Sequence, residues 1–150
     1  MASPLPNNSV AGLQTYSKFW YTDNSMANID EIQLIAATDD VVYDAGCVIV
    51  QITSGSDAGK YVNYNPAGLV PGQNTITPGK AGIISDQYLT SDVSTSGGVA
   101  NMVWGNAQIF ASAIYWTEPG ADDPADVIGL TTGKIPGEVY GRSETVVRLF

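Results

Sequence analysis

Short apolar runs separated by Gly, Pro, Asn, Ser and Asp recur along most of this chain. That is the sequence form of short β-strands joined by tight turns. The segment from Lys80 to Phe110 shows it most fully. Ala81-Gly82-Ile83-Ile84 is a compact apolar run, Ser85 to Gly98 is dense in Ser, Thr, Asp and Gly, and Val99 to Trp104 is a second apolar run. Gly105-Asn106 separates it from a third run beginning at Ala107, and that dipeptide predicts a two-residue hairpin loop.

The same reading extends to both sides. Val41 to Val50, with Ala45-Gly46 inside, predicts a strand, a bend and a second, fully buried strand. Lys60 to Tyr64 is rich in β-formers, and Asn65-Pro66-Ala67-Gly68 and Val70-Pro71-Gly72-Gln73 are turn sequences. Thr145 to Phe150 predicts a closing strand. Residues 29–36 (IDEIQLIA) fit either a strand or a short helix. Ala107 to Trp116 is also open: Ile109, Ala113 and Trp116 would share a helical face, Phe110, Ile114 and Trp116 a strand face. Asp122-Asp123-Pro124 is a good helix entry and predicts one short helix from about Pro124 to Leu130.

The N-terminal part is different. Residues 1–14 carry Pro4, Pro6, Asn7, Asn8 and Gly12 without periodicity, and read as an extended arm. Tyr16, Phe19, Trp20 and Tyr21 then crowd into a short window. These aromatics fit a strand packed on the domain's own core. They equally fit a set of apolar anchors that dock on a partner or neighbouring subunit. The chain accordingly divides at residue 40: an arm with an aromatic docking segment over 1–40, and a β-rich domain over 41–150.

Composition narrows the function. With 150 residues the chain has enough length for one domain with a core that needs neither disulfides nor metal. Charged residues make up 14%, below the usual ~25%, so the surface is built largely from neutral polar residues. Net charge is −9, and the six basic residues are scattered singly. That excludes a footprint for nucleic acid or an anionic membrane. The acidity serves solubility or complements a basic partner. No apolar stretch is long enough for a transmembrane helix, and the N-terminus lacks the basic and apolar regions of a signal peptide. The expected setting is a reducing cytoplasm or a particle assembled there.

Catalytic chemistry has little to work with. The chain has no histidine, which removes Ser/His/Asp and Cys/His catalysis and makes zinc binding improbable. Cys47, the sole cysteine, lies in the apolar run Cys47-Val48-Ile49-Val50 and reads as a buried structural thiol. The carboxylate pairs Asp39-Asp40 and Asp122-Asp123 sit in turn and cap contexts where local hydrogen bonding accounts for them. Asp122, Asp123 and Asp126 cluster, but not at the spacing of a calcium loop. The expectation is no catalytic residue, no metal site and no cofactor.

Four segments in order carry a resemblance: Ala45-Gly46-Cys47-Val48-Ile49; Gly59 to Ala67 (GKYVNYNPA); Ala81-Gly82-Ile83-Ile84-Ser85-Asp86; and Val103-Trp104-Gly105-Asn106. Their order and spacing resemble the lambda-type phage head decoration family. The likeness covers roughly residues 41–116, and more loosely the closing strand. Ser85 stands where that family has the first of an acidic pair, the turn loops are longer here, and residues 1–40 lie outside the likeness.

The resemblance implies a mainly β fold: a small β-barrel or β-tulip-like domain with one short helix and an extended N-terminal arm. It implies a non-enzymatic cement protein on the outer capsid surface, trimeric at threefold and quasi-threefold positions, whose partner is the major capsid protein. The arm, with Leu5, Pro6, Asn7, Asn8, Val10 and Leu13, would then add a strand to a shell subunit. Tyr16, Phe19, Trp20 and Tyr21 would be its anchors. Two rivals remain: a receptor- or carbohydrate-binding β module on a virion or tail, and a small carboxylate-based hydrolase.

Overall fold

The computed structural model describes residues 27–36, 41, 43–77, 79–85, 97–117 and 147–149. The fold is mainly β. Strands run in chain order as β1 (Asn28–Leu34), β2 (Val48–Gln51), β3 (Tyr61–Asn63), β4 (Ala81–Ile84), β5 (Gly98–Gly105), β6 (Ala107–Ile109) and β7 (Val147–Leu149), with one 3-10 turn at Ala111–Ala113. The first five close into a barrel in the order β1-β3-β2-β4-β5, and β6 and β7 form a separate parallel pair. Every barrel junction is antiparallel except β1–β3, a parallel contact at Leu34 and Tyr61.

Alternation along the strands sets the layers. On β1 and β5, Glu31, Gln33 and Val99 are exposed, so the opposite parity faces the barrel interior. Leu34, Ile49, Tyr61, Ile84, Ala100 and Met102 form that inner cluster, with Val41, Tyr43, Cys47 and Tyr115 completing it. The outer face of β2, β3 and β4 is buried as well. Val48, Val50, Val62 and Ile83 pack there with Ala107, Ile109, Ile114 and Trp116, and Tyr64, Val70 and Ile76 join from the loop after β3. Strands buried on both faces carry continuous apolar sequence, which is why Cys47 to Val50 and Ala81 to Ile84 lack polar alternation. Full burial of a Val, Leu or Ile side chain is worth about 1.5–3 kcal/mol, so this two-sided burial is the main stabilising term.

Several sequence expectations meet the structure here. The segment 29–36 resolves as strand as far as Leu34, because Ile32 and Leu34 face in while Glu31 and Gln33 face out, a period of two. This strand lies on the N-terminal side of residue 40 and is a full member of the barrel. Residues Val41, Tyr43 and Asp44 are not in a strand, although Val41 and Tyr43 are buried; they cap the inner cluster through side chains rather than a ladder. Ala107 to Trp116 splits: strand to Ile109, then a 3-10 turn, then a bridge from Tyr115 to Cys47. The closing strand is present at β7. The expected helix over 124–130 lies outside the described residues.

The Gly105-Asn106 hairpin is a correction. Asn106 has φ +49°, so the chain does turn there, but β5 and β6 do not pair with each other. The turn instead carries the chain out of the barrel, where β6 lies parallel to β7 and buries Ala107 and Ile109 on the barrel's outer face.

One glycine fixes the junction between barrel and outer segment. Gly46 has φ +94°, and a β-carbon there would collide with the Ala113 carbonyl oxygen. The close approach lets the Gly46 carbonyl accept from Tyr115 N–H (3.2 Å) and the Tyr115 carbonyl accept from Val48 N–H (2.7 Å). A side chain would forfeit both the left-handed backbone and these bonds.

Candidate interaction surface

The sequence-derived arm residues Leu5, Pro6, Asn7, Asn8, Val10 and Leu13 and the anchors Tyr16, Phe19, Trp20 and Tyr21 all lie outside the described residues. So do Asp39-Asp40 and the Asp122, Asp123, Asp126 cluster. Among the described residues, no three His, Cys, Asp or Glu side chains converge as a metal site would require, and no helix is long and apolar enough to cross a membrane.

What the described residues do display is a shaped loop and an exposed strand face. The loop runs from Asn65 to Asn74 and folds on itself. Asn65 N–H donates to the Gln73 carbonyl (3.0 Å), Gly68 N–H to the Asn65 carbonyl (2.9 Å), Gln73 N–H to the Val70 carbonyl (2.9 Å), and Ala67 N–H to Asn65 Oδ1 (2.9 Å). Its far side is tied to the end of β2, where Thr53 N–H donates to the Pro71 carbonyl (3.1 Å).

Beneath the loop sits a buried polar network. Asn63 Nδ2 donates to the Trp116 carbonyl (3.1 Å) and the Tyr64 carbonyl (3.2 Å). Two carbonyl acceptors orient that amide, so Asn63 Oδ1 is left to accept from Gln73 Nε2 (3.3 Å) and from the Tyr43 hydroxyl (3.5 Å). The same hydroxyl accepts from Asn63 N–H (3.1 Å). Asn63 and Gln73 are both fully buried. The loop backbone lies directly on the Gln73 amide: a β-carbon at Gly68 would meet its Oε1. A side chain at Gly68 would push the Gln73 amide aside. Buried polar groups cost free energy unless bonded, and the network ties the loop to the barrel through the Gln73 Nε2–Asn63 Oδ1 bond, while Gln73 Oε1 stays buried without a partner among the described residues.

The loop exposes Pro66, Ala67, Leu69 and Pro71. Leu69 is 96% exposed, an extreme value for a leucine on an ordered loop. The sequence from Tyr61 to Gly79 contains no charged residue and is bounded by Lys60 and Lys80. Both lysines are near this loop's attachment. Ile52 N–H donates to the Lys60 carbonyl (2.8 Å) and Gln51 N–H to the Lys80 carbonyl (2.8 Å), next to the Thr53–Pro71 bond. Lys60 Nζ also pairs with Asp57 (2.8 Å).

The second surface is the outer face of β1 and β5. The register sets Glu31 opposite Asn101 and Gln33 opposite Val99, while the Ile29–Val103 pair on the same side packs in the outer cluster and is covered. Val99 is 42% exposed and, with Leu69, is one of two large hydrophobics exposed among the described residues. Glu31 stands exposed beside it on the same face.

Two further groups among the described residues, Cys47 and the Tyr115 hydroxyl, are built into the core. Cys47 is fully buried. The Tyr115 hydroxyl accepts from Asp44 N–H (2.9 Å), and burial, reinforced by the neighbouring Cys47 and Asp44 groups, pushes its pKa well above the ordinary tyrosine range. A tyrosine held protonated in this way is a structural brace.

Sequence reasoning marked 65–68 and 70–73 as turns and passed over Leu69 between them. The available signal was the charge-free span bounded by two lysines, in a chain of net charge −9. Comparison with known protein families finds no family model that matches this chain, and no curated protein matches it either.

Proposed function

We propose that this protein is a head decoration (cement) protein of the lambda type. It binds the outer surface of an expanded phage capsid as a homotrimer and clamps neighbouring major capsid proteins against genome pressure. Four ordered sequence segments carry this reading, and they coincide with β2, β3, β4 and the β5–β6 corner. A Pro/Asn-rich arm followed by an aromatic cluster supplies the attachment element. Strand addition by such a segment needs a complementary sheet edge on the target, so attachment depends on a preformed shell. Repetition of the contact around a trimer then raises overall affinity without new contacts. The reaction is mechanical and needs no cofactor.

The test is co-sedimentation of the purified chain with expanded heads that lack it. Saturable binding near one copy per shell subunit, absent with unexpanded shells, is the expected result. Deleting residues 2–14 should abolish it. Replacing Phe19 and Trp20 with Ala should weaken it by about tenfold or more, the usual cost of truncating aromatic anchors. Lack of binding to either shell form would sink the proposal and favour a receptor- or carbohydrate-binding module.

A further inference from the structure

The barrel closes between β1 and β3 at a single register pair, Leu34 with Tyr61. The two strands are parallel and β3 begins at Tyr61, so β1 from Asn28 to Gln33 lies ahead of it. Over that length β5 is the strand partner of β1 among the described residues. Ladder alternation fixes which backbone groups are left over. Ser85 N–H donates to the Asn101 carbonyl (2.8 Å), so Asn101 turns its backbone groups towards β4 and away from β1. Glu31 is the partner of Asn101 and Gln33 that of Val99, and both members of such a pair turn their groups outward. Ile35, of the same parity, donates its N–H across the seam to the Tyr61 carbonyl (2.9 Å). The N–H and C=O of Glu31 and the N–H of Gln33 therefore point to an edge where no described residue bonds them, and both residues are exposed.

Donors and an acceptor at a two-residue spacing on an exposed edge suit an extended peptide backbone. Charge selects its side chains. A strand added here sets one residue directly opposite Glu31, and the chain carries net charge −9, so Lys or Arg is favoured there and a carboxylate opposed. A second copy would meet like charge with like.

We propose that the β1 edge at Glu31 and Gln33 is a strand-addition site for an extended segment of another protein, with Lys or Arg opposite Glu31. The site is separate from attachment through the arm: there this chain lends a strand, and here it receives one.

The probe is the peptide acetyl-Ser-Val-Thr-Lys-Thr-Val-Ser-amide, titrated into the isotope-labelled full chain up to millimolar concentration. The Glu31 and Gln33 amide resonances should shift saturably, and their hydrogen exchange should slow. Replacing the peptide's Lys with Glu should weaken binding by about threefold or more. Gln33→Pro removes an outward N–H and leaves the β5 ladder intact, so its urea midpoint should stay near that of the wild type while binding is lost. Gln33→Ala keeps the N–H and should bind like the wild type.

Amides of Glu31 and Gln33 that neither shift nor gain protection would overturn the proposal. So would a folded Gln33→Pro chain that binds normally, or equal binding of the Lys and Glu peptides. Should the proline variant fail to fold, exchange in the wild type still decides. Expanded heads that bind the chain while the peptide leaves this edge unchanged would overturn this site and leave the decoration reading standing.

Discussion

The side chain of Asn63 joins three segments that are far apart in sequence. Its amide reaches the Trp116 carbonyl, the Gln73 amide and the Tyr43 hydroxyl, and no apolar residue can reproduce that set. Asn63→Ala would leave the Trp116 carbonyl and the Gln73 amide buried with fewer partners. The expected loss is about 2–4 kcal/mol, read as a lower urea midpoint. A midpoint within error of the wild type would show that water takes over these bonds. None of this was visible in the sequence. Asn63 sits in a run of β-formers and Gln73 in a turn sequence, and residue type alone does not tell a solvent-facing amide from a buried one. Gly46 was partly legible: a bend was expected at Ala45-Gly46, but the Ala113 carbonyl that requires glycine lies far along the chain.

Among the elements, β2, β3, β4 and β5 were legible because each is a short apolar run bounded by turn residues, the signature that two-sided burial imposes. β1 was not decided, since Ile29, Ile32 and Leu34 fit either period until the partner strand is known. The β5–β6 corner misled for a related reason. Gly105-Asn106 encodes a local reversal, whereas the pairing of the strands that follow depends on where the apolar side of Ala107 to Ile109 finds cover. β1 also makes a prediction at this scale. It pairs with β5 from Asn28 to Leu34 and closes the barrel against β3. Deleting residues 2–14 should leave near-UV circular dichroism and cooperative unfolding intact. Deletion through Leu34 should abolish both, because it leaves β5 and β3 without their shared neighbour. A cooperative transition in the longer deletion would show that the barrel closes without β1.

At the scale of the whole molecule, copies of net charge −9 repel, and added salt screens that repulsion. The sequence made the charge and the uncharged span readable, but not that Leu69 projects, which depends on the network beneath it. The barrel's connectivity also has a mechanical meaning. Traction on the chain N-terminal to Asn28, resisted at the far end of the barrel, runs lengthwise along β1. The bonds of an antiparallel ladder lie across that direction, so those between β1 and β5 bear the load together instead of unzipping one after another. A tether attached this way is pulled in shear, the loading in which a short strand resists longest.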